Sequence, residues 1–342
     1  MMQNTVLLGK NLNELKDVAK TLGMPTFTGK QLAEWLYKKR AVSFDEMSNI
    51  SLKNRQILAE HFTIGRTPPI KEAVSIDGTK KYLFQTAKGT VESVFIPEDD
   101  RATLCISSQV GCKMNCLFCM TGKQGFSGNL TASEILNQIL SVPDSEKLTN
   151  LVYMGMGEPM DNTLEVLRSL NVMTSEWGLA WSPRRITVST IGLIPGMKQF
   201  LEHSECHLAI SLHEPFSDGR LQLMPVEKAF PIAKVIDELK KYDFAHQRRL
   251  SFEYIVFEGI NDSPRHAIEL VRLLKGVPCR VNLIRFHAIP NIKLKSPSTE
   301  KMEKLRDYLT NNGIICTIRK SRGEDISAAC GMLSSEQKNI TI

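Results

Sequence analysis

Three of the eight cysteines lie within one short segment, and their spacing is the strongest sign of chemistry in the chain. Cys112, Cys116 and Cys119 follow the pattern Cys-x3-Cys-x2-Cys. Three thiolates on one loop can ligate three irons of a [4Fe–4S] cluster and leave the fourth iron open to a small chelating ligand. Structural zinc is the alternative, but it normally has four ligands in paired knuckles. Because the sequence has no second Cys-x2-Cys pair, it favours the iron–sulfur cluster.

The elements that must position this loop alternate regularly from residue 103 onwards. Apolar runs predict strands at 103–107, 151–154, 186–190, 207–212, 252–257, 281–286 and 314–318. Amphipathic segments predict helices between them at 131–140, 162–174, 195–202, 232–242, 264–274 and 298–312. Such alternation indicates a parallel β/α sheet or barrel. About six units are too few to close an eight-unit barrel, so the predicted fold class is α/β, a partial (β/α)6 barrel.

Unusual polar residues follow the predicted strands at the points where the strands end. Gly157 and Glu158 follow the second strand, Ser189 ends the third, and Ser211 and His213 end the fourth. His287 follows the sixth strand in the same way. Function in parallel β/α folds collects at the carboxyl ends of the strands. The sequence therefore predicts an active site at this edge, beside the cysteine loop.

Composition and charge are those of an ordinary globular protein. The chain has 342 residues, of which 42% are hydrophobic, and a formal net charge of +6. This mild positive excess is compatible with RNA binding but does not require it. No apolar run approaches the roughly 18–20 residues that span a bilayer. Residues 1–8 lack the basic and apolar regions of a signal peptide, so we expect a cytoplasmic protein without membrane contact.

The chain is expected to contain three regions. Residues 1–68 read as a small helical accessory domain. Residues 69–100 carry hairpin signals, with Asp77-Gly78 and Lys88-Gly89 between β-rich segments, and form a β-hairpin extension. Residues 101–342 form the catalytic domain, which includes the C-terminal segment with Cys330.

Several long motifs resemble the radical S-adenosylmethionine (SAM) superfamily and, within it, the RlmN/Cfr family of RNA adenine methyltransferases. They lie at residues 91–97, 101–112, 154–159, 209–213 and 319–331. The resemblance covers nearly the whole chain and is closest to the C2-methylating branch. It implies a radical SAM barrel in which Cys112, Cys116 and Cys119 hold the cluster, and the open iron chelates SAM.

The resemblance also implies roles for three residues that the pattern alone does not single out. Cys330 matches the cysteine that takes a methyl group from one SAM; a radical from a second SAM activates this methyl for addition to adenine. Cys105 matches the cysteine that releases the product through a transient disulfide. Glu92 matches the general base that removes the C2 proton. By pattern alone, both cysteines would be core residues and Glu92 a solvated strand residue.

Contacts to SAM are implied for Gly157, Glu158, Ser189 and the segment Ser211, Leu212 and His213. One position departs from the family pattern, because His287 stands where the family has an asparagine. An imidazole can still donate one hydrogen bond. We therefore expect His287 to line the SAM pocket beside Ser189 and Ser211.

The substrates implied are 23S rRNA at the peptidyl-transferase centre and tRNA next to the anticodon, both methylated at C2 of adenosine. The accessory domain would dock RNA, and the pairs Arg184-Arg185, Lys240-Lys241, Arg248-Arg249 and Lys320/Arg322 are candidate phosphate contacts. Flavodoxin or ferredoxin would donate electrons to a monomeric enzyme.

Two alternative functions stay open: C8 methylation of 23S rRNA of the Cfr type, which gives antibiotic resistance, and a zinc-stabilised, non-catalytic RNA-binding protein. Glu92 argues mildly against C8 methylation.

Overall fold

The computed structural model describes residues 5–244 and 248–334. The first four residues of the predicted accessory domain and the last eight of the predicted catalytic domain therefore lie outside this description. In the described part, no helix is long and apolar enough to cross a membrane.

A ten-stranded sheet forms the centre of the molecule, with strand order β14-β13-β12-β11-β10-β9-β6-β5-β4-β3. Its strands are β3 (Lys71–Val74), β4 (Lys80–Thr86), β5 (Gly89–Pro97), β6 (Ala102–Cys105), β9 (Asn150–Tyr153), β10 (Ile186–Thr190), β11 (His207–Ser211), β12 (Leu250–Val256), β13 (Cys279–Arg285) and β14 (Ile315–Ile318). Two small pairs lie outside it: β1 (Thr5–Val6) with β2 (Phe62–Thr63), and β7 (Gln109–Gly111) with β8 (Phe126–Asn129).

The helices are α1 (Leu12–Thr21), α2 (Thr28–Ala33), α3 (Leu52–His61), α4 (Met120–Lys123), α5 (Ala132–Leu140), α6 (Thr163–Thr174), α7 (Ile194–His203), α8 (Ser217–Leu223), α9 (Ile232–Leu239), α10 (Pro264–Leu274) and α11 (Thr299–Asn311). Their starts follow from local sequence. Thr131 and Glu134 form a capping box at α5, and Ser263 with Pro264 begins α10.

The half of the sheet from β6 to β14 is parallel throughout. Helices α5, α6, α7, α9, α10 and α11 make the crossovers between its seven strands. Every residue of β12 is buried, as expected for a strand covered on both faces. Strands β14 and β3 are the edges of the sheet, so the predicted partial barrel of about six β/α units is confirmed.

The antiparallel strands β3 to β5 continue this sheet, because β5 pairs with β6. Val94 lies opposite Cys105, and Lys81 lies opposite Val94. Opposed residues in an antiparallel pair share a face, and so do residues two apart on one strand. Lys81, Glu92, Val94 and Cys105 therefore face the same side of the sheet.

Two structured segments beside the cysteine loop have no counterpart in the sequence-based prediction. The β7–β8 pair begins just before the loop and closes after it, and α8 follows the fourth parallel strand. Each is short, and a glycine interrupts β8 and α8. Hydrophobic periodicity needs longer runs than these to be visible.

Candidate functional site

The loop with Cys112, Cys116 and Cys119 is held in place by backbone contacts. Gly111 has φ +75°, and a Cβ there would lie 1.9 Å from the carbonyl oxygen of Gly125, so only glycine fits. The amide of Cys112 donates to that same oxygen at 2.9 Å. At the other side of the loop, the amide of Leu117 donates to the carbonyl of Leu223 at the end of α8. The loop is therefore fixed before any ligand binds.

The three thiols form one electrostatic group. Burial raises the pKa of Cys112 to about 12, and the neighbouring Cys119 adds to the rise. Burial also raises the pKa of Cys116 well above its usual value, with Cys119 and Cys112 contributing. Metal binding requires thiolates, and a bound cation would reverse these shifts.

The donor set fits an iron–sulfur cluster. Within residues 5–244 and 248–334, no three His, Cys, Asp or Glu side chains converge closely enough to hold a single metal ion. The three thiols of the cysteine loop match the ligand number of a [4Fe–4S] cluster that has one open iron. The residues that would hold it are Cys112, Cys116 and Cys119.

A buried arginine that the sequence did not reveal lies beneath this loop. Arg220 of α8 is fully buried and forms an ion pair with Glu227, with Nη1 2.5 Å from Oε2. Its remaining donors bond the carbonyls of Leu212, Ile191 and Ser211. The positive charge of Arg220 opposes the rise that burial causes in the pKa of Cys116. Arg220 therefore ties the ends of β10 and β11 to α8, whose last residue, Leu223, accepts from the amide of Leu117 in the cluster loop.

A cavity of about 650 Å³, counting its open mouth, lies at the carboxyl ends of the parallel strands. It is lined by seven of the residues named from the sequence: Cys119, Gly157, Glu158, Ser189, Ser211, His213 and Cys330. The other six do not line it: Glu92, Cys105, Cys112, Cys116, Leu212 and His287. The structure thus brings five of the seven predicted SAM contacts together beside one cluster cysteine and the predicted methyl carrier.

Glu158 is locked by the backbone around it. Its Oε1 accepts from the amide of Met160 at 2.9 Å, and its Oε2 accepts from the amide of Ile191 at 3.0 Å. Burial raises its pKa to about 7, although these hydrogen bonds oppose the rise. A buried carboxylate at the cavity wall suits the cationic amino group of SAM.

His213 is held as a neutral hydrogen-bond donor. Its Nδ1 accepts from the amide of Ile255 at 3.0 Å, so the ring proton lies on Nε2. Burial, assisted by Arg220, lowers its pKa to about 3. Phe118 of the cysteine loop packs edge-on against the ring, with centroids 4.9 Å apart.

The two remaining predicted SAM contacts have other surroundings. Leu212 is fully buried, and its backbone bonds Glu253 and Arg220. His287 contacts the C-terminal segment: its Nε2 lies 3.3 Å from Oγ of Ser321 and its Nδ1 3.5 Å from Glu324. The side chain of His287 is therefore directed towards the segment that follows β14 and does not line the cavity beside Ser189 and Ser211. Its contact with SAM stays a prediction.

Cys330 lines the cavity. Of the eight cysteines it alone is exposed, and its accessible surface opens into this cavity. Protein atoms surround the rest of the side chain, and this burial raises its pKa, while Arg319 opposes the rise. Cys105 is buried beside it, and burial, with Cys330 contributing, raises the pKa of Cys105 to about 12.

Two further residues of this region had no role in the sequence-based prediction. Glu253 lines the cavity, and its Oε2 lies 3.4 Å from Nε of Arg319. Burial raises the pKa values of both Cys330 and Cys105, and Arg319 opposes this rise. An arginine near two thiols favours their thiolate forms.

Contacts with the cysteine loop fix the C-terminal segment. The amide of Met120 donates to the carbonyl of Gly331 at 2.8 Å, and Oγ1 of Thr121 donates to the carbonyl of Leu333 at 2.8 Å. Cys330, adjacent to Gly331, is therefore held directly against the end of the cluster loop.

Glu92 is a buried residue, not the solvated strand residue that its pattern alone suggests. It forms an ion pair with Lys81, and its Oε2 accepts from the amide of Ser334 at 2.9 Å. It shares the sheet face of Cys105 and lines a neighbouring cleft with Lys71 and Asp325.

The candidate phosphate contacts have different surroundings in the structure. Lys240 and Lys241 are paired with Asp237 and Glu238. Arg248 is buried, where it bonds the carbonyls of Leu201 and Ser204. Arg184, Arg185, Arg249 and Lys320 are exposed.

Two family models match the chain. The Radical SAM superfamily matches residues 106–271. The ribosomal RNA large subunit methyltransferase N-terminal domain matches residues 5–64.

Curated relatives match nearly the full length. A protein of Parabacteroides distasonis named probable dual-specificity RNA methyltransferase RlmN is 60% identical, covering 100% of this chain and 99% of the relative. A protein of Desulfotalea psychrophila named dual-specificity RNA methyltransferase RlmN is 41% identical, covering 96% and 95%. A crystal structure of a radical SAM methyltransferase from Sphaerobacter thermophilus superposes with a TM-score of 0.91 at 38% identity, covering 96% of this chain and 99% of that one.

Proposed function

The chain belongs to the RlmN family of radical SAM RNA methyltransferases, and from this premise we propose that it methylates C2 of adenosine through a methylated Cys330. The proposed substrates are 23S rRNA at the peptidyl-transferase centre and tRNA next to the anticodon. The zinc-stabilised binding protein and the C8 methyltransferase are not favoured, since the relatives carry the RlmN name.

The contact between the C-terminal segment and the cluster loop carries the proposal. Met120, next to the ligand Cys119, bonds Gly331, next to Cys330. A methyl group on Cys330 would lie at the cavity wall that also includes Cys119 and Glu158. When bound, the cluster and SAM supply the methyl group and the one-electron chemistry that activates it.

The cavity residues would bind and orient SAM. Glu158 offers a carboxylate to the amino group, and the Nε2 proton of His213 offers a fixed donor. Ser189 and Ser211 add hydroxyl groups at neighbouring strand ends. Because backbone amides hold Glu158 and His213, these groups need no rearrangement on binding.

The two cysteines would act in sequence. Cys330 would lose its thiol proton and accept the methyl group of SAM. An S–C bond would form on Cys330, the bond between the methyl and the sulfonium would break, and S-adenosylhomocysteine would leave. After the activated carbon is joined to adenine, the Cys105 thiolate attacks Sγ of Cys330. An S–S bond forms, the S–C bond breaks, and its electron pair stays with the carbon, which takes up a proton to become the product methyl. Two electrons from a thiol reductant then restore both thiols.

Glu92 would accept the C2 proton. It is buried on the same face as Cys105, and its Oε1 and Oε2 meet Lys81 and Ser334. A carboxylate held in this way, against the segment that carries Cys330, can act as a general base.

The RNA and protein partners complete the proposal. Residues 5–64 would dock RNA, since they match the family's N-terminal domain, and the exposed Arg184, Arg185 and Arg249 would contact phosphates. Flavodoxin or ferredoxin would donate electrons to the monomer.

Analysis of modified nucleosides tests the function. RNA from a strain that lacks this chain should lose 2-methyladenosine in 23S rRNA and tRNA, measured by mass spectrometry of digested nucleosides. The wild-type chain should restore it, whereas Cys330→Ala should not. Loss of 8-methyladenosine, with 2-methyladenosine unchanged, would contradict the proposal.

A further inference from the structure

Lys81 is the charged partner of Glu92 on the neighbouring strand. Leu83 of β4 lies opposite Glu92, so Lys81, two residues away, is a diagonal neighbour on the same face. Its Nζ lies 2.9 Å from Oε1 of Glu92, with side-chain exposures of 16% and 3%. Solvent therefore screens this ion pair little.

The same two side chains hold both ends of the segment that carries Cys330. Nζ of Lys81 also donates to the carbonyl of Ser327 at 3.4 Å, and Oε2 of Glu92 accepts from the amide of Ser334 at 2.9 Å. Cys330 lies between these two attachment points. We call residues 327–334 the Cys330 loop.

We propose that Lys81 is a positioning residue that keeps Glu92 ionised and fixes the Cys330 loop relative to it. The proposal rests on the function proposed above, in which Glu92 is the base and Cys330 the methyl carrier. One ion pair thus sets the separation between the group that accepts the proton and the sulfur that carries the carbon.

Two other charged groups line the cleft beside Glu92. Lys71 of β3 and Asp325 of the C-terminal segment line the same cleft. Asp325 is engaged with the turn after β3, through Oγ of Ser75 and the amide of Ile76. Lys81 forms an ion pair with the Glu92 carboxylate, with Nζ 2.9 Å from Oε1. A cation in contact with a buried carboxylate favours its ionised form, and only this form can act as a base.

The test compares Lys81→Met with Lys81→Arg and with a matched control, Lys80→Met. Lys80 is adjacent on β4 but points to the opposite face, where its Nζ lies 2.7 Å from Asp144. Each cluster-loaded variant is assayed for single-turnover methylation of RNA between pH 6 and 9. In the same samples, the alkylation rate of Cys330 by iodoacetamide is followed by peptide mass spectrometry.

Lys81→Met should move the acidic limb of the pH–rate profile upwards by about one unit or more, and so lower the rate about tenfold on that limb. It should also speed the alkylation of Cys330 several-fold. Lys81→Arg should restore both properties, and Lys80→Met should leave both unchanged. If Lys81→Met does not fold, an upward shift in Lys81→Gln carries the same support.

An acidic limb and an alkylation rate that are unchanged in a folded Lys81→Met or Lys81→Gln variant would overturn the role of Lys81. A shift of equal size in Lys80→Met would overturn it as well, because loss of any lysine on β4 would then suffice. If the wild-type enzyme does not methylate RNA, the proposed function itself fails. The two failures are therefore distinguishable.

Discussion

Two groups of thiols meet at the carboxyl ends of the strands, and they are assembled in different ways. Cys112, Cys116 and Cys119 lie on one continuous loop, fixed by Gly111, Gly125 and α8. Cys105 and Cys330 come from opposite ends of the catalytic region. They meet because the C-terminal segment crosses the sheet face and bonds the cluster loop.

Because of this difference, the thiols of the two groups should depend on one another in different ways. The three loop thiols would bond one common group, so each is needed for the others to function. The two distant thiols would act one after the other, so the loss of one should stop the reaction at a defined step. Variants of the loop thiols should therefore lose the cofactor completely. Variants of the two distant thiols should instead stop the reaction at one intermediate.

The largest effect should come from the loop. Replacing Cys112, Cys116 or Cys119 by Ala should abolish iron binding and reductive SAM cleavage, since a three-ligand site cannot lose a ligand and keep its geometry. Iron and sulfide analysis and 5′-deoxyadenosine formation, both under anaerobic conditions, measure this. The matched control is Cys206→Ala, a buried cysteine away from the cavity, which should keep its iron. Formation of 5′-deoxyadenosine by any of the three loop variants would contradict the assignment.

The distant pair should instead give two distinct arrests. Cys330→Ala should show no added methyl mass. Cys105→Ala should accept the methyl but stall after joining RNA, leaving a covalent protein–RNA adduct at Cys330. Denaturing gels and intact-protein mass spectrometry distinguish these outcomes. A Cys105→Ala protein that is methylated at Cys330 but free of RNA after turnover would exclude the resolving role.

A smaller effect, on the stability of the fold, should follow replacement of the buried Arg220. Arg220→Met leaves Glu227 buried without its cation and should lower the free energy of unfolding by about 3–5 kcal/mol. Urea unfolding of the apoprotein measures this. The double variant Arg220→Met/Glu227→Leu should recover much of the loss, since no uncompensated charge then remains. Equal stability of the single and double variants would argue against an ion-pair origin.

The smallest effect concerns pH and SAM binding. The pKa of Glu158 is raised to about 7, whereas the amino group of SAM would favour the carboxylate. SAM affinity should therefore rise with pH through about 7 and then level off, changing by up to about tenfold per unit below it. Glu158→Gln should abolish that dependence. Anaerobic binding titrations at several pH values test this, and a wild-type affinity independent of pH between 6 and 8 would contradict it.

Local sequence was sufficient to predict many strands and helices in the parallel half of the fold. The run at 186–190 became β10 (Ile186–Thr190), and the Ser263-Pro264 start placed α10 correctly. These elements follow from hydrophobic periodicity and capping, which act over a few residues. Glu158, Ser189 and His213, which follow or end predicted strands, likewise line one cavity.

Contacts between segments that are distant in sequence could not be predicted from periodicity and capping. Arg220 could be buried only because Glu227 and three backbone carbonyls converge on it. The burial of Glu92 depends on strand register and on a segment from the far end of the chain. His287 turned towards that same segment instead of the cavity. Periodicity contains no information about such pairings.

The passage of the methyl group through Cys330 is the central claim, and isotope labelling tests it most directly. Enzyme methylated at Cys330 with ordinary SAM is purified and mixed with RNA and SAM that carries a ¹³C methyl group. We expect the first turnover to yield 2-methyladenosine with the unlabelled methyl, and later turnovers to yield the ¹³C form. A ¹³C methyl in the first-turnover product would show direct transfer and contradict the role of Cys330.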